Sequence, residues 1–453
     1  LQYNVGYVIE TYEQLEGINK ILAGKVTTDL DTDGKIQTLE GKTITLGNDI
    51  TQTNGYFGFL NDKQTATLPT TFNGVIDGDN YCITMNSRQN GFVQTLNGTI
   101  KNLNVNITNA TPTGVGNEAG IALINNGTIE NCKGVITPSY SDSNFGGMAW
   151  INNGKIKNCI YEGGLKYANG GGRGGICSTN GETGIIENCK NTQKTTVQLN
   201  GLHCTLGGIC GKNSGTIISS SNSMNIDYKT NGSGGVEKAG IGGICGNMIK
   251  GSIKNSYNAG SFTKSGSSST SERPKYGGIV GLFGIIYEDK STFNTAEISY
   301  CYNTGIIKKP TYGVVGGIVG QSVGENGNAY SYSSTNLTIN GCYNLGEIDG
   351  LNDSIKPGGI AGNLDTNATI KNCYTSTEGA LVPKTGITVE NSYYWYLPTT
   401  SYPSSGEDYG YDTDMKTQTF CDKLNSSSTT EQIYKMIKEQ EFPALYWQDG
   451  TSK

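Results

Sequence analysis

Gly277-Gly278-Ile279-Val280-Gly281, followed after an insertion by Ile298-Ser299-Tyr300-Cys301-Tyr302-Asn303-Thr304-Gly305-Ile306, is the clearest copy of a phrase that recurs along the chain. The phrase returns as Gly317-Ile318-Val319-Gly320 with Ile339 and Cys342-Tyr343-Asn344-Leu345-Gly346. It returns again as Gly359-Ile360-Ala361-Gly362 with Ile370-Lys371-Asn372-Cys373-Tyr374. A period of roughly 30 residues marks a repeat architecture. Each copy holds two or three apolar runs of about four to six residues bounded by Gly, Asn, Ser and Thr, which suits strands and is too short for helices.

Working outward, the second glycine of the first limb falls at Gly120, Gly147, Gly175, Gly208, Gly243, Gly278, Gly317 and Gly359. The second limb is anchored by Ile100, Ile129, Ile156, Ile186, Ile217, Ile253, Ile298, Ile339, Ile370 and Val389. Strands of constant length with spacers of variable length describe a solenoid whose insertions loop out of the stack. One coil cannot bury its apolar side chains alone, so the simplest architecture is an all-β, parallel β-helix with one repeat per coil. About ten coils at about 4.8 Å would make a rod on the order of 50 Å long. A β-propeller would call for longer and more even repeats.

Composition narrows the function. With 66 Gly, 27 Tyr and 16 % charged residues in 453, the chain fits a turn-dense β protein. The net charge of −6 is spread thinly with no basic cluster, which argues against a nucleic-acid partner. No apolar run reaches the roughly 18 residues of a membrane span. The chain begins at Leu1 rather than Met, which fits both a removed signal peptide and a trimmed chain.

Cysteines recur at equivalent repeat positions: Cys132, Cys159 and Cys189, then Cys301, Cys342 and Cys373, at one position; Cys177, Cys210 and Cys245 at another. Stacked neighbours at strand spacing lie within reach of a disulfide. They serve equally as small buried thiols, since Ser256 and Ser392 replace Cys at that place. No CxxC pair occurs, so a zinc site is not expected.

In chain order, Thr11 to Ala23 places Leu15, Ile18, Ile21 and Leu22 on one helical face, a cap for the open end of the rod. Thr43 to Leu46 and Val75 to Met85, with an Asp-Gly turn, read as first coils. The repeat proper runs from Gly98 to about Trp395. Insertions at 232–240 and 261–275 are rich in Gly and Ser and read as surface loops. Near the end, Thr430 to Lys438 has Ile433, Met436 and Ile437 at helical spacing, and Phe442 to Trp447 is a compact apolar finish. The expected division is 1–70 as N-terminal cap and first coils, 71–396 as β-helix, and 397–453 as a small helical C-terminal cap closing the other end.

The repeat resembles the GLUG motif: a Gly-Gly-Ile-Val-Gly start, then Gly-x-Ile-x-Asn-Cys-Tyr-Asn-Thr-Gly-x-Ile. Residues 277–281 with 301–306 and 317–320 with 342–346 carry the likeness best, and it covers about 98–395. Copies before Gly207 are degenerate, and Trp150 stands where Gly is usual. The resemblance implies a secreted or surface-exposed protein, often an adhesin or a non-catalytic region beside an enzyme domain.

Signals for chemistry are sparse. Rod-like β-helices include polysaccharide lyases and hydrolases, and hydrolysis needs two carboxylates at a set separation. The nearest pair, Asp77 and Asp79, reads first as a turn. His203 beside Cys204 has no third partner in the sequence around it. Asp29-x-Asp31-x-Asp33-Gly34-x5-Glu40 matches the calcium-loop pattern, so Asp29, Asp31, Asp33 and Glu40 are candidate calcium ligands, or simply an acidic turn. Glycosylation sequons occur at Asn97, Asn106, Asn109, Asn126, Asn231, Asn336, Asn352, Asn367 and Asn425.

The expectation is a non-catalytic extracellular structural or adhesive rod, on the cell surface or secreted. Its loops would bind glycans, surface proteins or neighbouring subunits, the last extending to self-association into a fibre. Two alternatives stand beside it: a polysaccharide-active β-helix enzyme, and a module of a larger protein.

Overall fold

The computed structural model describes residues 6–22, 39–52, 71–85, 91–107, 117–136, 144–165, 171–192, 195–199, 204–230, 240–264, 274–284, 294–308, 313–322, 335–349, 357–365, 367–378, 380–395, 406–427, 432–438 and 440–449. Among them the fold is a parallel β-helix. One coil shows the plan. Lys275–Gly277 enters sheet 1, Val280–Phe283 sheet 2, Asn294–Ser299 sheet 3, Tyr302–Asn303 sheet 4 and Ile307–Lys308 sheet 5. Every strand pairs in parallel with its counterpart in the next coil, giving stacks of 7, 10, 13, 13 and 5 strands for sheets 1 to 5. Thirteen strands at about 4.8 Å make a rod of about 58 Å, longer than expected because Tyr7–Ile9, Thr43–Leu46 and Val75–Asp77 extend sheet 3 ahead of the repeat.

The sequence explains each feature of a coil. Alternate residues of a strand point to opposite faces, so Ile298 turns inward and Glu297 and Ser299 flank it. In register, Ile44, Ile76, Ile100, Ile129, Ile156, Ile186, Ile217, Ile253, Ile298, Ile339 and Ile370 form one buried column. The corner between sheets 3 and 4 is turned by a residue of positive φ: Asn102 (52°), Asn131 (54°), Asn158 (54°), Asn188 (50°), Asn255 (49°) and Asn372 (54°). Asn tolerates this region better than other side chains. Its amides also link successive coils, Asn131 to Asn102 at 3.1 Å, Asn158 to Asn131 at 3.0 Å and Asn188 to Asn158 at 2.8 Å.

Between sheets 1 and 2 the second glycine of the motif approaches the opposite wall. A Cβ at Gly278 would lie 2.1 Å from the Gly317 carbonyl oxygen and 2.4 Å from Asn303 Cγ, so no larger residue fits. The asparagines on that wall form an internal amide ladder, Asn222 to Asn258, Asn258 to Asn303 and Asn303 to Asn344 at 2.8, 2.8 and 2.7 Å. Each is buried with its polar atoms engaged, which removes the cost of burying an amide.

Cys132, Cys159, Cys189, Cys301, Cys342 and Cys373 sit just past the corner of sheets 3 and 4, and Cys177, Cys210 and Cys245 open strands of sheet 2; all are buried free thiols. Cys342 Sγ donates to the Asn340 carbonyl (3.5 Å) and accepts from Cys301 N–H (3.4 Å). Ser256 makes the same pair of bonds, to the Lys254 carbonyl (2.8 Å) and from Ser220 N–H (3.1 Å). The position therefore selects a small side chain that both donates and accepts, which explains why Ser replaces Cys there. Burial pushes the thiols of Cys132, Cys159, Cys342 and Cys373 well above their ordinary pKa.

At the N-terminal end, helix α1 (Tyr12–Leu22) packs Tyr12, Leu15 and Ile18 into the core, as its amphipathic spacing predicts. At the other end, Ala380 and Leu381 carbonyls accept from Gly359, Ile360 and Ala361 N–H and close the last coil. Helices α2 (Asp412–Met415) and α3 (Gln418–Asn425) form the small helical C-terminal part. Its described residues lie along the outer flank of sheet 4, against Tyr343, Tyr374 and Tyr393, rather than over the end of the rod. The helix expected over Thr430 to Lys438 is absent where the residues are described: Tyr434–Lys435 is a strand paired antiparallel with Ala444–Leu445. Asn425 Oδ1 accepts from both Ile433 and Tyr434 N–H at 2.9 Å, pinning that backbone extended. A helix of that length has little stability of its own to resist this.

Candidate functional site

The outward position of sheet 4 that follows the Cys/Ser column carries, in register, Asn104, Lys133, Ile160, Lys190, Ser221, Tyr257, Tyr302, Tyr343, Tyr374 and Tyr393. The five tyrosines are an aromatic ladder on the outside of the rod. Coil spacing sets their geometry: Tyr257 to Tyr302, Tyr302 to Tyr343 and Tyr343 to Tyr374 have ring centroids 4.9, 5.0 and 5.1 Å apart and planes within 14°.

The C-terminal segment covers the far end of this ladder. Phe420 and Tyr434 meet Tyr374 edge-on, both at 5.5 Å, and Phe420 also meets Tyr393 at 5.7 Å. Such aromatic pairs add about 0.5–1.5 kcal/mol each beyond the area they bury. Hydroxyls fix the register: Tyr374 donates to the Pro443 carbonyl, Tyr434 to the Asn372 carbonyl (2.8 Å) and Tyr343 to Gln448 Oε1 (3.0 Å). Burial pushes Tyr374 and Tyr434 well above the usual tyrosine pKa. Tyr393 is pushed up to about 12, by burial first and then by Glu407 and Tyr409.

The near end is different. Tyr257 and Tyr302 are half-buried, and Trp447 is tilted beside them at 6.5 and 5.7 Å. Trp447 Nε1 donates to the Tyr300 carbonyl at 3.1 Å, and Tyr446 meets Tyr300 edge-on at 5.8 Å. The last residues of the segment thus build a part-open aromatic corner. This site is assembled from parts about 150 residues apart (|i−j| of 147 for Trp447 and Tyr300). The recurring Tyr after Cys was the available sequence signal, and Ser-Tyr at 256–257 its weaker form.

Other sequence candidates fall elsewhere. Asp29, Asp31 and Asp33 lie outside the described residues; Glu40 is exposed. Among the described residues no cluster of three or more His, Cys, Asp or Glu is arranged to hold a metal ion. Partial burial acts to raise the Asp77 pKa, but hydrogen bonds from Asn102 (3.0 Å), Lys101 (2.9 Å) and Asp79 N–H (3.1 Å) outweigh it and hold the carboxyl below its ordinary value. With Asp79 and Asn80 at positive φ, this is the expected turn. His203 is outside the described residues, and Cys204 opens the strand Cys204–Gly207.

Of the sequons, Asn97, Asn126, Asn336 and Asn367 are exposed, Asn106 and Asn425 half-buried, and Asn109, Asn231 and Asn352 outside the described residues. The Asn425 amide nitrogen donates to the Tyr434 carbonyl at 2.8 Å and its oxygen accepts from Ile433 N–H at 2.9 Å.

Sequence reading missed two charges. Glu118 and Arg173 are buried in the core column of sheet 1, in register on either side of Phe145. Counting back two residues from the second motif glycine finds them, because that place holds Leu206, Ile241, Tyr276 and Val315 in later coils.

No family model and no curated protein matches the chain. Solved structures similar to it include the following two. An IgA1 protease matches at 13 % identity and a TM-score of 0.40 over 100 % of this chain and 26 % of its own. A candidate immunoglobulin A1 protease of Bacteroides ovatus matches at 14 % identity and a TM-score of 0.29, over 98 % and 94 %. The chain thus spans about a quarter of the length of the first of these. The expectation of a chain that is not an enzyme is corrected on this point: both similar structures bear protease names, and a repeat poor in carboxylates is no ground for excluding catalysis. Among the described residues no helix is long and apolar enough to cross a membrane.

Proposed function

We propose that this chain is the recognition rod of a secreted or cell-surface protein, engaging glycans or surface proteins along its flank. The observation that supports this best is the part-open aromatic corner of Tyr257, Tyr302 and Trp447 on a rigid wall. Aromatic side chains that keep one polar edge are favoured contact residues because they offer large area at little entropic cost. Topology adds a second support. The connections 108–116, 137–143, 166–170, 200–203, 231–239, 265–273, 309–312 and 350–356 all leave sheet 4 or 5 and enter sheet 1 or its equivalent bend, so their anchors line one edge of the rod. Connections mounted in a row on a rigid scaffold are where binding residues concentrate.

A glycan array probed with the full chain tests the reading: saturable binding to a defined glycan class is the expected result, and a blank array together with no binding to intact cell surfaces would sink it. Product analysis after incubation with immunoglobulin A1 and with acidic polysaccharides tests whether the chain also catalyses. Calorimetric titration with calcium tests the acidic motif at Asp29, Asp31, Asp33 and Glu40; one bound ion per chain is expected if the motif acts as a site.

A further inference from the structure

The outer column of sheet 4 changes height at a single step. Tyr257 stacks one ring face on Tyr302, while the next residue of the column on the other side is Ser221. The adjoining outward positions are also small, Ser223 and Ala259, both exposed. Trp447 stands beside the step, anchored to the corner of sheets 3 and 4 by its bond to the Tyr300 carbonyl. Lys190, exposed, occupies the column one coil beyond Ser221. The result is a step with an aromatic wall, Ser221 buried at its base, exposed Ser223 and Ala259 beside it, and a cation at its far rim.

Where the ladder meets an apolar partner, at Tyr374 and Tyr393, it is surrounded by Phe420, Leu424 and Tyr434. Tyr257 has Tyr302 on one face and Trp447 beside it, and Ser221 in the next coil on the other side. That environment suits a ring with one C–H face and a hydroxyl rim, and one coil of rise, about 4.8 Å, gives such a ring room to lie on the tyrosine.

We propose that this step is a glycan subsite: a pyranose lies with its C–H face on Tyr257 above buried Ser221, its hydroxyls reach exposed Ser223, and a carboxylate on the neighbouring sugar meets Lys190. The proposal rests on the glycan reading above and names the place and the charge of the ligand. A lysine facing an anionic ligand adds a salt-sensitive contribution, so acidic glycans bind better than neutral ones.

The test uses the full chain with hyaluronan tetrasaccharide as acidic probe and chitotetraose as neutral probe, followed by calorimetry and saturation-transfer NMR. Tyr257→Ala and Ser221→Tyr, the second of which fills the step while leaving Tyr257 in place, should each weaken binding tenfold or more with unchanged thermal unfolding. Lys190→Gln should lower affinity for the acidic probe alone. Binding that Ser221→Tyr leaves unchanged overturns the subsite and spares the glycan reading. No binding of either tetrasaccharide overturns the subsite, and a blank array besides overturns both.

Discussion

The two halves of sheet 4 share an interior and differ on the outside. Inward, Cys132, Cys159 and Cys189 match Cys301, Cys342 and Cys373, each thiol facing the carbonyl two residues earlier and the isoleucine carbonyl of the preceding coil. Outward, Lys133, Ile160 and Lys190 face solvent in the N-terminal coils, whereas Tyr343, Tyr374 and Tyr393 are buried beneath the C-terminal segment. Coil geometry therefore does not depend on the outer column. Core positions are constrained by two neighbouring coils and the opposite wall, while an outward side chain answers only to what covers it.

The strongest way to break this contrast is to remove the cover. Deleting 397–453 should leave the coils intact and uncover Tyr343, Tyr374 and Tyr393, so that sedimentation velocity shows larger species than the full chain forms. Next comes Phe420→Ala, which removes a fully buried ring lying against Tyr374, Tyr393 and Tyr409. It should cost about 3–5 kcal/mol, seen by hydrogen exchange as lost protection over 412–425 with none lost around Ile129 and Ile156.

Asn303→Ala strikes an interior feature instead. It takes one hydrogen bond from each of the Asn258 and Asn344 amides, which keep the Gly260 carbonyl and the Gly346 N–H as partners, and should cost about 0.5–1.5 kcal/mol per bond lost, lowering the midpoint of denaturant unfolding. Alkali separates the halves by titration. Tyr393 has its pKa raised from 10.0 to about 12, so the neutral form is favoured in the folded state. Its contribution is intact below pH 10 and is lost between pH 10 and about 12. Tyrosinate absorbance should accordingly rise together with release of the C-terminal segment, ahead of loss of β-sheet ellipticity.

Smallest is Lys157→Gln, which breaks a half-buried pair with Glu130 at 2.6 Å on sheet 3. The change should stay within about 1 kcal/mol and shrink further at high salt. A larger effect would mean that charge pairing between coils, here and at Lys155 with Glu187, helps set the register.

Particular residues show how far the sequence could be read. Gly278, Ile298 and Cys301 announced a wall, a core column and a corner, and the structure puts them there, because each is constrained by its own copy one coil away. Arg173 was overlooked, since a charge in a glycine run looks like a loop until the register is counted. The stretch around Ile433 was taken for a helix because its apolar spacing is helical, and Asn425 with the tyrosine ladder overrode that spacing. Trp447 gave no sign of its partner at all.

The amino-acid sequence alone determined the parallel β-helix, its repeat and its N-terminal helix, because those rest on contacts between equivalent residues in successive coils, and periodicity records such contacts. Only the tertiary structure decided that the C-terminal segment lies along the flank, that Tyr343, Tyr374 and Tyr393 are covered, and that Tyr257 is left half-buried at the end of the ladder. Those contacts join unlike segments far apart in the chain, and nothing in the period of the repeat encodes where one unlike segment meets another.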